Sequence, residues 1–590
     1  MAIVKKKVDA VIVGFGWTGS ILAMELAEAG LNVLAFERGE MQTTENTARY
    51  PNVADELAHV SRGRLLQDLS KETLTFRHTP DQAAVPYRQH GAILLGNGVG
   101  GAGFHWNGLT WRPQVSDLVL RSHYTDRYGK KFIPDGMTIE DFGVTYDELE
   151  PFFTRFEEVA GISGKASNLN GKLSAGGNRF EAWRSKEYPL PPLADVYGAQ
   201  LFAKAARTLG YEPFPIPAAN ASAPYTNPYG VRLGPCNFCG FCEDFGCFMY
   251  SKSSPQTTIH PALFRKENFE LRTRCQVVRI NKHPDGETVT GVTYIDASGQ
   301  EIEQPADLVI LSAFQMHNVR LLLLSGISQP YDPATGEGVV GRNFAYQMNG
   351  GVNVFLPKGT QLNPFIGAGA GGQAIDDFNG DNFDHAALGF IGGANIRHNR
   401  TGGRPIGQAG QKKGTKKWGA EWKSSVQDAY QRLMTINAQG SVMSYRTNYL
   451  SLDPNFKDAY GQPLLRVTFD WQENEFRMTK HAVAQAERIG RVLSNEVDIN
   501  VRKSGMHFDT RVYQSTHTTG GAIMGSDPRK SVVNKYLQSW DMHNLFVLGA
   551  CAFPQNAGYN PTGLVGGLTY WAAHAIREIY LKNPGHLARA

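Results

Sequence analysis

The sequence predicts an α/β fold, and three stretches carry the prediction. Residues 8–37 read as strand, glycine-rich turn, helix and second strand. Residues 96–108, GNGVGGAGFHWNG, hold another cluster of glycines. DLVILS, 307–312, leads into the helix-like NVRLLLLSGI, 318–327. Strands alternating with helical segments favour a parallel sheet covered by helices.

The N-terminal unit is the most explicit. Val8 to Val13, VDAVIV, is a short apolar run suited to a buried strand. Gly14-Phe15-Gly16-Trp17-Thr18-Gly19 follows, then helical SILAMELAEAG up to Gly30, then NVLAFE ending at Glu37. Gly14 permits the tight turn, Gly16 lets the backbone approach a pyrophosphate, and Gly19 lets helix and strand pack closely. The free N–H groups and positive end of the helix then face the phosphates. Glu37 stands where a carboxylate accepts bonds from ribose hydroxyls. The unit reads as a dinucleotide site. The glycines of 96–108 suit neither helix nor strand; they read as backbone wrapped around something large and flat. That second element, and a fingerprint at the N-terminus of a long chain, favour FAD over NAD. DLVILS followed by Gln315 reads as a further strand-to-helix return beside the nucleotide.

Length and composition set bounds. A chain of 590 residues has room for two or more domains. A net charge of +4 at this size gives no reason to expect nucleic acid. No apolar run approaches 18 residues, so no transmembrane helix is expected. The N-terminus enters a strand almost at once, without an apolar stretch and cleavage site, so no signal peptide is expected and the chain alone reads as cytoplasmic.

Four of the six cysteines lie in PCNFCGFCEDFGC, 235–247: Cys236, Cys239, Cys242 and Cys247. Such crowding is unlike a disulfide framework, although a disulfide pair stays open. Structural zinc sites usually show two separated C-x-x-C pairs. The run C-x-x-C-x-x-C instead matches the spacing of iron–sulfur clusters, where one short loop wraps the cluster. Phe248 stands where a bacterial ferredoxin run has proline, so the loop is not a ferredoxin copy. Zinc also stays open at this point. The chain has no C-x-x-C-H and therefore no c-type haem attachment of its own.

These pieces resemble the glucose–methanol–choline (GMC) oxidoreductases. The fingerprint, VGGAGFHWNG, LVILSAFQMHNVRLLLLSGI and NLFVLGACAFPQNAGYNPTGLVGGLTYWAA fall in that family's order, and residues 350–440 match least. The chain is most similar to the large flavoprotein subunits of bacterial membrane-bound sugar and sugar-acid dehydrogenases. The resemblance implies a two-domain flavoprotein. Its Rossmann-like FAD-binding domain would use 1–40, 85–150, 225–345 and 540–590, and would include the cysteine loop 235–248. The substrate domain, a mixed β-sheet plus helices roofing the pocket, would use 150–225 and 345–540. VTFDWQENEF, a helix from about Arg477 to Ser494, and DPNFKDAYGQPLLRVTFDW as a hairpin would belong to it.

The resemblance also assigns residues. Gly100, Gly101, His105, Trp106 and Asn107 match a G-G-x-x-x-H-W segment in which the histidine is bonded to the flavin, so covalent FAD through His105 is expected. Gly549, Ala550, Pro561 and Thr562 would contact the flavin as well. His517, in STHTTGGAIMG, matches the element that places the catalytic base, and Asn560, in AGYNPTG, the residue that orients the hydroxyl. A neutral histidine suits proton removal as hydride leaves the same carbon. Gln347, His507 and Arg511 are further pocket candidates. A carboxylate substrate would want arginine or lysine. The basic stretch 397–419 could supply one, but it reads rather as a solvated loop or docking face.

The related dehydrogenases imply a [3Fe–4S] cluster on three of the four cysteines, serving as a one-electron outlet from a two-electron flavin. The haem would sit on a cytochrome c subunit, with quinone beyond it. A small signal-bearing subunit would carry the chain to the periplasmic face of the inner membrane, with membrane association only through a partner. The implied reaction is oxidation of a secondary hydroxyl of a sugar acid, D-gluconate to 2-keto-D-gluconate. Fructose, sorbitol, glucose and 2-ketogluconate remain alternatives, as does an electron-transfer subunit with no substrate of its own.

Overall fold

The computed structural model describes residues 3–49, 52–400, 406 and 410–589. Two sheets organise it. The first is built around β1 (Val8–Val13), with β2 (Val33–Phe36) on one side and β3 (Glu301–Leu311) on the other, all parallel. Phe269–Arg272 extends the parallel set beyond β2, and Leu545–Val547 pairs with the end of β3. Val289–Ile295 and Gln276–Lys282 add an antiparallel meander. Helix α1 (Trp17–Glu28) is buried from Trp17 through Ala27, which explains why its sequence is apolar on all sides.

The turn from β1 into α1 depends on two glycines. Gly14 has φ +93°, and a Cβ there would lie 2.5 Å from Ala313 Cα. A Cβ on Gly19 would lie 2.1 Å from the Gly14 carbonyl oxygen. Helix and strand therefore approach as closely as the fingerprint predicts.

The second sheet is antiparallel, in the order Val497–Asn500, β4 (Asn349–Phe355), β6 (Leu433–Gly440), β5 (Ala394–Arg400), Ala368–Ile375, Phe214–Pro215. Alternation along its strands sets its two faces. Val352, Val354, Ile396, Met434, Ile436 and Ala438 point into a core closed by Met478, Ala482, Ala486 and Ile489 of α3 (Glu473–Leu493). Those helical positions recur every three or four residues, as an amphipathic helix requires. Asn349, Arg397, Asn399, Asn437 and Gln439 occupy the alternate positions and line the cavity described below.

Three local readings shift. α3 begins at Glu473 rather than near Arg477, with Glu473 and Glu475 at the positive end of its dipole. The expected hairpin forms, Tyr449–Lys457 against Pro463–Thr468, but it joins Thr75–Arg77 in a separate four-stranded sheet and packs on the first core. The glycine-rich 96–108 contains one helical turn, α2 (Ala102–His105), entered through Gly101 at φ +52°. The last long helix, α4 (Thr562–Ala575), brings Gly566 and Gly567 against the rings of Phe156 and Phe153. Among the described residues, no helix is long and apolar enough to cross a membrane.

Gly19→Ala should force β1 and α1 apart, costing about 1–3 kcal/mol as an overpacked contact. A lower thermal midpoint and a reduced flavin-to-protein absorbance ratio in the purified variant would register it.

Candidate active site

One cavity of about 500 Å³ runs from the C-terminal ends of β1 and β3 to the polar face of the second sheet. Gly14, Gly16, Glu37, Gly101, His105, Trp106, Asn107, Gly549, Ala550, Pro561 and Thr562 all line it. Gly19 and Gly100 stand behind the wall. Gly100 has φ +89° and leaves no room for a Cβ against the Gln256 side chain. Glu37 accepts N–H bonds from Phe15 (3.2 Å) and Gly39 (2.9 Å), which hold its carboxylate at the end of β2. The cavity fits a flavin dinucleotide: Trp17 Nε1, His105 Nε2, Asn349 Oδ1 and Thr518 Oγ1 line it and are buried with no hydrogen-bond partner among the described residues. Burial first, and the nearby Lys252 charge second, lower the His105 pKa to about 4, so its imidazole is neutral.

His517 and Asn560 meet at the far end of the cavity. Asn560 Nδ2 lies 3.1 Å from His517 Nε2, and Gln347 Oε1 lies 2.5 Å from His517 Nδ1. The surrounding bonds decide the tautomer. Gln347 Nε2 donates to the carbonyls of Ala557 (2.8 Å) and Tyr559 (3.3 Å), so its oxygen must face the histidine and accept from Nδ1–H. Asn560 Oδ1 accepts from Trp111 Nε1 and Gln439 Nε2, both 3.2 Å, so its amide N–H faces Nε2. His517 is thereby held with a lone pair on Nε2, the form a general base needs. Burial, then the charge of Arg397, push its pKa down to about 3. The backbone is equally fixed: Gln347 N–H and Asn556 Nδ2 both donate to the His517 carbonyl.

Gln347 is thus brought to the base, but His507 and Arg511 are not in the cavity. His507 is an exposed residue paired with Asp470 (2.5 Å), and Arg511 is an exposed residue paired with Asp509 (2.8 Å). The basic stretch 397–419 also divides. Residues 401–405 and 407–409 lie outside the described residues, and Lys412 and Lys416 pair with Glu496 and Glu421. Arg397 departs from the expected solvated loop: it sits mid-strand in β5, 6% exposed, in the cavity wall. Its signal in the sequence was the alternation of ANIRHN with polar residues at 395, 397 and 399, hidden by the charge run that follows.

The cysteine loop backs directly onto the cavity. Asp244 N–H donates to the His105 carbonyl (2.8 Å), and Glu243 and Asp244 line the cavity. The thiols of Cys236, Cys239, Cys242 and Cys247 are all unpaired by disulfides. Burial, with the mutual repulsion of neighbouring thiolates, raises Cys236 to about 12 and Cys239 to about 11. Donors already point at sulfur: Phe238 N–H to Cys236, Lys252 N–H to Cys247 (3.3 Å) and Asn220 Nδ2 to Cys242 (3.7 Å). Lys252 itself is fully buried, and its ammonium donates to the carbonyls of Trp106, Cys242 and Phe245 at 2.6–2.7 Å. Among the described residues no carboxylate lies within ion-pair distance of it. A buried cation beside Cys239, Cys242 and Cys247, with N–H groups aimed at three of the four sulfurs, fits an anionic thiolate-bound cluster. Lys252 was invisible in SKSS, where nothing distinguishes it from a surface lysine.

A nucleotide cradle opening onto an oriented histidine–asparagine pair defines a flavin-dependent oxidoreductase of alcohols, and comparison with known proteins agrees. Profiles described as GMC oxidoreductase match residues 198–349 and 444–569. The chain belongs to the GMC oxidoreductase family and is an FAD-dependent dehydrogenase acting on CH–OH donors. It is 56% identical, over 99% of its length and 96% of the relative's, to the gluconate 2-dehydrogenase flavoprotein of Pantoea cypripedii. It is 26% identical to the fructose dehydrogenase large subunit of Gluconobacter japonicus, over 96% of this chain and 97% of that one. The crystal structure of pyridoxine 4-oxidase from Mesorbium loti shares the fold, with a TM-score of 0.62 at 17% identity, covering 97% of this chain and 99% of that one. The family resemblance and the fold class read from the motifs are borne out.

Because His517 stays neutral until well below its ordinary range, kcat/KM, which reports the free enzyme, should show no acid limb between pH 5 and 7. A limb centred near pH 6.5 that disappears in Gln347→Leu, measured by dye reduction, would contradict the assignment.

Proposed function

We propose that the enzyme oxidises the C2 hydroxyl of D-gluconate to 2-keto-D-gluconate. The observation that carries this is the His517–Asn560 pair standing beside the buried Arg397 in one cavity, and the extensive identity to a gluconate 2-dehydrogenase flavoprotein supports it. Asn560 holds the hydroxyl toward Nε2 of His517, which takes the O–H proton as hydride departs from the same carbon. Bound FAD supplies the acceptor for that hydride. Gln347 steadies the imidazole as it becomes cationic.

The flavin would be held covalently by His105, whose Nε2 has no other partner. Cys236, Cys239, Cys242 and Cys247 would hold an iron–sulfur cluster, [3Fe–4S] on three of them, which supplies one-electron transfer at the edge of the active site. A chain with no haem attachment motif then needs a cytochrome c partner. Association with the periplasmic face of the membrane would follow from that partner and a small signal-bearing subunit.

Purified protein with an artificial electron acceptor should give its highest kcat/KM on gluconate when tested beside fructose, sorbitol, glucose and 2-ketogluconate. His517→Ala should lose at least about a thousandfold in turnover while keeping its flavin, within the range typical of removing a base. Turnover retained in that variant would remove His517 from the chemistry. Acid-denatured wild type should retain flavin on the polypeptide, and His105→Ala should release it. EPR of the oxidised protein should show a paramagnetic cluster; a silent spectrum together with bound zinc would refute the iron–sulfur assignment.

A further inference from the structure

We propose that Arg397 binds the substrate's carboxylate and restricts the site to α-hydroxy carboxylates, in which the acid group adjoins the carbon that is oxidised; this rests on the reading of the enzyme as a sugar-acid dehydrogenase. Arg397 is a cation placed in the cavity wall by strand alternation, not by a loop. A guanidinium cannot shed its charge in a protein, so a buried one needs an anion or a dense set of acceptors. Its protein acceptors are three neutral amide oxygens: Asn395 (3.1 Å), Gln439 (2.7 Å) and Asn399 (3.3 Å). Two of its five N–H groups are left without an acceptor among the described residues. Glu243 and Asp376 are the carboxylates whose charge it feels, but neither lies within ion-pair distance. Asp376 is already occupied by Asn178, Asn379, Asn395 and Tyr559.

The position of this cation relative to the base selects the substrate. Arg397 donates to Gln439, Gln439 donates to Asn560 Oδ1 (3.2 Å), and Asn560 faces His517 Nε2. Two amide side chains thus separate the anion site from the base. A planar carboxylate takes the guanidinium fork edge-on, and in the proposed pose the hydroxyl on the neighbouring carbon faces His517. Asn349, whose Oδ1 has no partner, and Asn437 on the same sheet face suit the remaining hydroxyls of a polyhydroxy acid. A neutral polyol of the same shape would leave the buried cation uncompensated, which is a mechanism for rejecting it.

The test compares D-gluconate with its neutral amide, D-gluconamide, on the flavin-loaded enzyme with a dye acceptor. In Arg397→Gln, the gluconate-to-gluconamide ratio of kcat/KM should fall at least 100-fold, because gluconate loses its cation while the neutral amide no longer leaves one uncompensated. Arg397→Lys keeps the charge but not the fork, and should lower the gluconate-to-amide ratio at least fivefold while restoring part of the gluconate activity lost in Arg397→Gln. Unchanged gluconate kinetics in Arg397→Gln, or equal losses on both substrates at wild-type flavin content and thermal midpoint, would overturn the proposal. Should Arg397→Gln fail to load flavin, the Lys variant decides, and an unchanged ratio there overturns it. Wild type that oxidises a different α-hydroxy carboxylate and not gluconate would refute the gluconate assignment alone, with Arg397 then scored on that acid and its amide. Wild type that prefers neutral sugars refutes both.

Discussion

Two cations buried in or against the walls of one cavity, with no carboxylate at ion-pair distance among the described residues, set the terms for everything around them. Lys252 donates to three carbonyls and Arg397 to three amide oxygens. Such arrangements are expensive in isolation. The proposed occupants would balance both: a cluster held by the chain's own cysteine thiolates beside Lys252, and a substrate acid group beside Arg397. The same charges act on two of the histidines that line the cavity. Lys252 adds to the lowering of His105, and Arg397 to that of His517. Neutral imidazoles at both positions follow from burial and are reinforced by these neighbours.

The proposed base, His517, is organised by amides rather than by a carboxylate. Gln347 and Asn560 each have one end committed to fixed partners, so each presents a defined end to His517. A carboxylate at Nδ1 would hold the ring just as firmly but would raise its basicity. An amide oxygen orients the ring with less effect on its pKa. In the proposed reaction such a buried, correctly directed imidazole suits a step in which proton and hydride leave together.

Much of this was legible in the sequence, unevenly and for physical reasons. The β1–α1 turn was readable because its constraints are local: a positive φ at Gly14 and a contact between Gly19 and Gly14 only five residues apart. His517 and Asn560 were readable through motif neighbours that build their turns. Arg397 was not, because a strand of period two ran into a basic segment and the charge drew more attention than the alternation. Lys252 and Gln439 gave no local signal; their importance exists only once Lys252 meets Trp106 and Gln439 meets Asn560, each more than a hundred residues away. His507 and Arg511 failed for the converse reason. Each has a carboxylate close in sequence or space, Asp470 and Asp509, that claims it at the surface.

The strand Leu545–Val547 lies beside β3 in the sheet that carries the first turn of the fold, pairing Leu545 with Val309, and α4 packs on α1. Segments far apart in the sequence are therefore neighbours. Until they meet, the sheet around the fingerprint turn is incomplete, and completing it is an event of very high contact order. Gly549, Ala550, Pro561 and Thr562 complete the cavity walls beside that turn, so the cradle closes only when these distant segments have met, and premature compaction of either one alone is the hazard this topology carries.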